Sequence, residues 1–305
     1  MKMIKYVYLL SAPHSGSTLL ASLLGCHKDI STVGEFGTDF PKSLLCSCGK
    51  EFGNCNFWRE IKEIANKQCI NVDIGNLGIN LGLRSNVSLW YELYFHLFPI
   101  KFIDRIRDKF FNIFLPEFHN YSKEAIEKSL KIIEIILAKE NSKVFLDTTK
   151  NPFQVRFLSK HPRVDLKIIY LIRDGRAVTW SLINKEKWTL KKSVDTWLWS
   201  NRNIERVCLN YINDKNCVLM LKLEDLCNHP EEKITQLLDF IGVSSDIEIK
   251  STKESGLHII GNSMRLKFNG KIRRPDESWK ENLSKEKILY FEKRAGWLNK
   301  RYGYE

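Results

Sequence analysis

Between Ser11 and Thr18 the chain reads Ser-Ala-Pro-His-Ser-Gly-Ser-Thr, a cluster of small and hydroxylated residues around one imidazole. A turn of this kind that runs straight into a helix is a binding point for phosphate or sulfate. The first-turn N–H groups have no intrahelical acceptor, and the helix dipole is positive at that end. Ser11, Pro13, Ser15 and Gly16 make the turn, Ser15, Ser17 and Thr18 add hydroxyl donors, and His14 adds an ionisable ring. A second anion grip is legible further on. Arg173 follows an apolar run, and Ser181 lies eight residues later. An arginine fork binds phosphate bidentately, and a serine two helical turns on completes the grip. The cysteines are a third group: Cys46, Cys48 and Cys55 lie close together, with Cys69 beyond. Three such thiols suit a metal or a local disulfide. Cys-x-Cys lacks the two-residue gap of a zinc knuckle, which favours a local staple or free thiols.

These groups need elements to aim them. Ile4 to Leu10 is an apolar run too short for a helix, hence a buried strand; from Thr18, Leu19, Leu20, Leu23 and Leu24 repeat at helical spacing. Cys26 to Pro41 reads as loop, centred on Gly34-Glu-Phe-Gly37. Phe57 to about Phe118, including the aromatic run Trp90–Phe98, suggests helices of unclear order. Ser122 starts an amphipathic helix, with Ile126, Leu130, Ile133 and Leu137 on one face. Val144–Leu146, Leu166–Ile172 and Cys217–Leu221 read as strands. Phe153–Ser159, Ala177–Ile183, Val194–Ile212 and Pro230–Ile241 read as helices. Alternating strands and helices imply a parallel sheet with right-handed crossovers and ligands at the strands' carboxyl ends. The expectation is an α/β fold: one domain, 1–305, with a mainly helical insertion at about 42–121.

The chain of 305 residues carries 48 Lys and Arg against 36 Asp and Glu, a formal charge of +12. The basic residues are scattered, with no zinc-finger or helix-turn-helix spacing, so an anionic small ligand explains the charge better than nucleic acid does. No stretch approaches the roughly 20 apolar residues of a membrane span. The N-terminus could pass for a poor signal peptide, but its apolar run is short and goes straight into Pro13-His14, and if the anion turn is real the strand ahead of it is expected to be retained. A soluble cytoplasmic enzyme is expected.

The Ser-Gly-Ser-Thr turn resembles the 5′-phosphosulfate loop of sulfotransferases that use 3′-phosphoadenosine 5′-phosphosulfate (PAPS). Arg173-Asp-Gly-Arg-Ala with the trailing Ser181 is similar to the 3′-phosphate motif of the same enzymes. Asp147-Thr-Thr-Lys150-Asn-Pro resembles the lysine-bearing segment ahead of that motif in tyrosylprotein and carbohydrate sulfotransferases. Gly34-Glu35 matches their Gly-Glu. Leu223–Val243 is similar to a stretch common in this superfamily, and His258–Trp279 resembles the C-terminal cofactor-binding segment of bacterial members, with Arg265 in a cofactor-binding position. The resemblance is weakest between about Cys46 and Ser122. It implies a P-loop-type three-layer α/β/α fold and sulfuryl transfer from PAPS to a hydroxyl, leaving adenosine 3′,5′-bisphosphate, with no metal required.

On that resemblance Glu35 is the acceptor's base, and His14 and Lys150 stabilise the leaving oxygen. Pro13, His14, Ser15, Gly16, Ser17 and Thr18 hold the 5′-phosphate, and Arg173, Ser181 and Arg265 hold the 3′-phosphate. His14 departs from the pattern, which has lysine or arginine there; a bound anion should favour its charged form. His258 reads as structural. Asp174 orients Arg173 or bonds the loop, Arg176 is a solvated helix-start charge, and Trp180, Trp188, Trp197 and Trp199 are core. The acceptor (a sugar, lipid, small phenol or tyrosine) has no signature. Two rivals stay open. A P-loop kinase would need the first glycine and lysine of a Walker loop, both missing here, and a metal-holding aspartate such as Asp147. A non-catalytic binder of adenosine bisphosphate would account for His14.

Overall fold

Ile4–Ser11 forms β1, and the alternation of its side chains sets the architecture. Tyr6, Tyr8 and Leu10 enter one apolar cluster, and Val7 and Leu9 enter another on the opposite face. The next strand in the sheet does the same: in β4, Val164–Ile172, Ile168, Tyr170 and Ile172 join the first cluster and Ile169 and Leu171 the second. Strands buried on both faces require helices on both faces. The computed structural model describes residues 3–38, 40–73, 106, 109, 113 and 116–305.

The sheet runs β2-β3-β1-β4-β5, with β2 at Ile30–Gly34, β3 at Val144–Asp147 and β5 at Val218–Lys222. Every pairing is parallel. The Pro116–Lys139 and Leu190–Tyr211 helices cover the first face through Leu130, Ile133, Trp197 and Ile204. The Ser17–Leu24 and Pro230–Ile241 helices cover the second through Leu20, Leu23, Ile234 and Leu237. The result is the expected three-layer α/β/α arrangement.

The differences from expectation are local. Ile30–Gly34 is a sheet edge, not loop. Its Ser31 and Thr32 dilute the apolar run, and its burial comes from a distant segment, Ile259–Ile260, laid against it. The Pro116–Lys139 helix begins six residues before Ser122, at a proline that suits a first helical position. Phe153–Ser159 is not one helix but a 3₁₀ turn, Pro152–Gln154, followed by the short helix Val155–Leu158. Of the expected insertion, the described residues hold a Leu45–Glu51 antiparallel bridge and the Asn56–Lys67 helix. The Trp90–Phe98 run lies outside them. No helix among the described residues is long and apolar enough to cross a membrane.

Candidate functional site

The strand order dictates where a ligand can sit. β1 lies between β3 and β4, the chain leaves it towards one edge and later returns on the other side, and the crevice opens where those connections diverge. The residues following β1, β3 and β4 are the Pro13–Gly16 turn, Lys150 and Arg173. Gly16 caps the Ser17–Leu24 helix in a left-handed conformation, φ 92°. The first intrahelical bond is Leu20 N–H to Gly16 O at 3.1 Å, which leaves the earlier N–H groups aimed out of the helix end.

A cavity of about 640 Å³ opens on this turn and is lined by Pro13, His14, Gly16, Ser17, Thr18, Glu35, Lys150, Arg173 and Ser181. Nine of the eleven residues expected at the site therefore face one space. Ser15, within the turn, is 1% exposed, and its Oγ, like that of Ser11, is buried without a hydrogen-bond partner. Arg265 stands apart. Its guanidinium is buried and donates to the carbonyls of Leu45 (3.1 Å from Nε) and Gly261, so it braces the cavity's wall and does not line it.

The two segments expected to hold anions are physically joined. His14 Nδ1 lies 2.9 Å from Ser181 Oγ, and Nε2 is 3.1 Å from Glu186 Oε1. Arg173 Nη1 donates to the His14 carbonyl at 2.8 Å and Nη2 to that of Asp276 at 3.3 Å. Burial, chiefly, holds His14 below the usual imidazole value; Glu186 opposes that, while Lys185 and Arg173 add to it. Lys150 forms an ion pair with Glu35 and reaches Ser17 Oγ at 3.4 Å. Glu35 is carried to the cavity by the end of β2. Gly34 has φ 78°, and a Cβ there would fall 2.0 Å from the Ile260 carbonyl oxygen, so only glycine allows this close approach. Glu35 N–H then donates to that same oxygen at 3.2 Å.

Five further cations line the cavity: Lys185, Lys267, Lys271, Arg273 and Arg274, against the carboxylates of Glu35 and Asp276. The run Lys271-Ile-Arg-Arg274 was the available sequence signal for this wall. Asp174 caps the Gly175–Glu186 helix, accepting from Arg176 N–H at 2.9 Å. Arg176 is not a solvated charge. It is buried, pairs with Asp174 at 2.8 Å and lies 4.4 Å over the Trp279 ring. Asp147 is 1% exposed and accepts hydrogen bonds from Tyr6 (2.7 Å) and from the N–H (2.8 Å) and hydroxyl of Thr149, so its oxygens are engaged away from the cavity. Burial pushes its carboxyl up to about 6.

A second cavity, about 730 Å³, adjoins the first. Pro13 and Lys150 line both; Phe153, Lys192, Trp199 and Asn203 line only the second. Trp197 is fully buried as expected, whereas Trp199 is half exposed at this opening. The cysteines Cys46, Cys48 and Cys55 converge, and His258 joins them; Cys69 is exposed and outside the group.

Comparison with solved structures gives sulfotransferase domains. One from the curacin biosynthetic pathway matches with a TM-score of 0.51 and 15% identity over 100% of this chain and 99% of that one. One from the olefin synthase of Synechococcus PCC 7002 matches with 0.52 and 16% over 100% and 97%. No protein-family model matches the chain. No curated protein matches it either. The likeness establishes that the chain has the fold of these domains.

Proposed function

We propose that this chain is a PAPS-dependent sulfotransferase acting on a hydroxyl group. One observation carries the reading: a helix-start anion turn and the Arg173/Ser181 grip open into one cavity that also holds a carboxylate–ammonium pair. The residues fit a doubly phosphorylated nucleotide. The buried hydroxyl of Ser15, inside the turn, has no hydrogen-bond partner, and the cavity wall carries an excess of cations. When bound, PAPS supplies the sulfuryl group and departs as adenosine 3′,5′-bisphosphate.

The chain's own residues then divide the work. Ser17, Thr18 and the first-turn N–H groups hold the 5′-phosphate, with Pro13 and Gly16 setting the turn. Arg173 and Ser181 hold the 3′-phosphate, with Arg273 and Arg274 adding charge. Arg265 keeps the wall in place. Glu35 takes the proton of the acceptor hydroxyl, and Lys150 and His14 offset negative charge on the leaving oxygen, so that catalysis is positioning plus electrostatics. The acceptor enters from the second cavity, which meets the first at Pro13 and Lys150. The kinase alternative would ask Asp147 to hold a metal, a task its hydrogen bonds to Tyr6 and Thr149 oppose.

Calorimetry separates the readings. Adenosine 3′,5′-bisphosphate should bind without magnesium, and ATP with magnesium should bind more weakly. Preference for magnesium-ATP would overturn the proposal. Transfer of labelled sulfate from PAPS across a panel of hydroxyl acceptors then tests turnover.

A further inference from the structure

We infer that Cys46, Cys48, Cys55 and His258 form a closed tetrahedral zinc site that clips the Cys46–Cys55 segment to the segment flanking Glu35. Their four ligand atoms all lie within 4.8 Å of one another. Cys48 Sγ is 3.6 Å from Cys55 Sγ, which is 3.9 Å from Cys46 Sγ; His258 Nδ1 lies 3.2 Å from Cys55 Sγ and 3.5 Å from Cys46 Sγ. Zinc bonds of about 2.3 Å to sulfur and about 2.0–2.1 Å to nitrogen give tetrahedron edges of about 3.8 Å and about 3.6 Å. The two sulfur–sulfur separations bracket the first edge, and the two sulfur–nitrogen separations fall just short of the second. A disulfide has sulfurs about 2.0 Å apart and would account for only two of the four converging groups. Thiolates with one imidazole and no carboxylate suit zinc, not magnesium or calcium. Four protein ligands leave no open position, which makes the site structural. Binding replaces the thiol protons, which pass to solvent.

The surrounding chain is arranged to hold these ligands. In a flat strand a one-residue gap sends two side chains to opposite faces. Here Cys46 N–H bonds Lys50 O at 2.8 Å and Gly49 N–H bonds Cys46 O at 2.9 Å, closing a tight turn that brings Cys48 round to the side of Cys46. Cys55 is the N-cap of the twelve-residue Asn56–Lys67 helix, where the dipole favours a thiolate. Ser47 brackets His258. Its hydroxyl donates to Leu257 O at 2.5 Å and accepts from Ile259 N–H at 2.7 Å. The Phe57 ring stacks on the imidazole at 4.5 Å and 9°, fixing its plane.

The clip reaches the nucleotide cavity by a short route. Two residues past His258, Ile260 N–H bonds Val33 O at 2.8 Å and its carbonyl receives Glu35 N–H. On the hairpin side, Leu45 O receives Arg265, which also bonds Gly261 of the cavity wall. Both ends of the clip thus brace the segment carrying Glu35.

The test uses the whole chain, purified without a metal-chelating tag. Elemental analysis should find about one zinc per chain. Titrating the thiols with a mercurial should release that zinc. Cobalt(II) should produce tetrahedral ligand-field bands with thiolate charge transfer. Cys48→Ser, at the most exposed ligand, and His258→Ala should lose stoichiometric metal, while Cys69→Ser, outside the group, keeps it. Chelation should lower the wild-type melting temperature and leave that of a folded Cys48→Ser unchanged. Should Cys48→Ser not fold, the wild-type cobalt spectrum and mercurial release decide. Protein that binds neither zinc nor cobalt, or a Cys48–Cys55 disulfide found by non-reducing peptide mapping, would overturn the inference.

Discussion

Glu35→Gln should move turnover and nucleotide affinity in opposite directions. The Glu35 and Lys150 side chains are 17% and 21% exposed, so their ion pair is largely withdrawn from water. On the proposed reading the carboxylate does two things at once: it is the acceptor's base, and it is a negative charge in a cavity lined by an excess of cations. Replacing it by the amide removes the base, and loss of general-base catalysis costs about 10²–10⁴-fold in kcat. The same change frees Lys150 and removes repulsion towards the phosphates. A unit charge about 5 Å away at an effective dielectric constant of about 20 is worth about 3 kcal/mol as an upper figure. Residual exposure and salt reduce that to about 1–2 kcal/mol, or about 5–30-fold tighter binding.

Single-turnover transfer of labelled sulfate measures the first effect, and calorimetry with adenosine 3′,5′-bisphosphate the second. Turnover within about tenfold of wild type would remove Glu35 from the chemistry. Weaker nucleotide binding would mean that Glu35 matters by positioning Lys150, and the division of roles above would fail.

Nucleotide binding should take up a proton at His14. Its free pKa is held below the ordinary value and a bound anion raises it, so affinity is highest below the free value and falls as pH climbs through the bound one. Calorimetry in buffers of different ionisation enthalpy reads the uptake, and His14→Gln should abolish it. Gly34→Ala forces a Cβ to within 2.0 Å of the Ile260 carbonyl at a positive φ, so the bridge to β2 must part; denaturant titration should show a loss of about 2–4 kcal/mol. Asp147 has a native pKa of about 6 against 3.8 for the free carboxyl, so the native state holds more protons between those values. Its contribution to stability is fully present below about 3.8 and is lost as pH rises through about 6. Asp147→Asn should therefore gain about 1–2 kcal/mol at pH 8 in urea unfolding and little near pH 4, after allowance for a weaker bond to Tyr6. A variant destabilised equally at both pH values would refute the buried-charge account.

The parts legible in the sequence are those whose signal is contiguous. β1, its turn and the Ser17–Leu24 helix occupy one unbroken stretch, as do β4, Arg173 and Ser181, so pattern alone reveals the elements that carry both candidate grips. Pairing between segments leaves no such mark. β2 escapes notice because its burial depends on Ile259–Ile260, and the hydrogen bond between His14 and Ser181 spans 167 positions. Arg265 shows the converse case. Its position in the chain suggests a phosphate ligand, but the carbonyls of Leu45 and Gly261 claim its guanidinium, and the basic run Lys271–Arg274 lines the cavity in its stead.

The cysteines carry the same lesson into chemistry. A spacing rule for metal ligands assumes a particular turn, and Cys46-Ser-Cys48 violates the rule for zinc knuckles while satisfying the geometry by a different one. The fourth ligand, His258, stands 203 positions from Cys55, and nothing near it in the chain announces a metal. What selects it is Ser47, which bonds the residues on either side of that histidine. Those bonds give a discriminating experiment. Ser47→Ala keeps every ligand but releases the bracket, so zinc should still bind while its release to a chelator accelerates. A Ser47→Ala protein that loses metal no faster than wild type would show that the hairpin alone, not the bracket, orders the site.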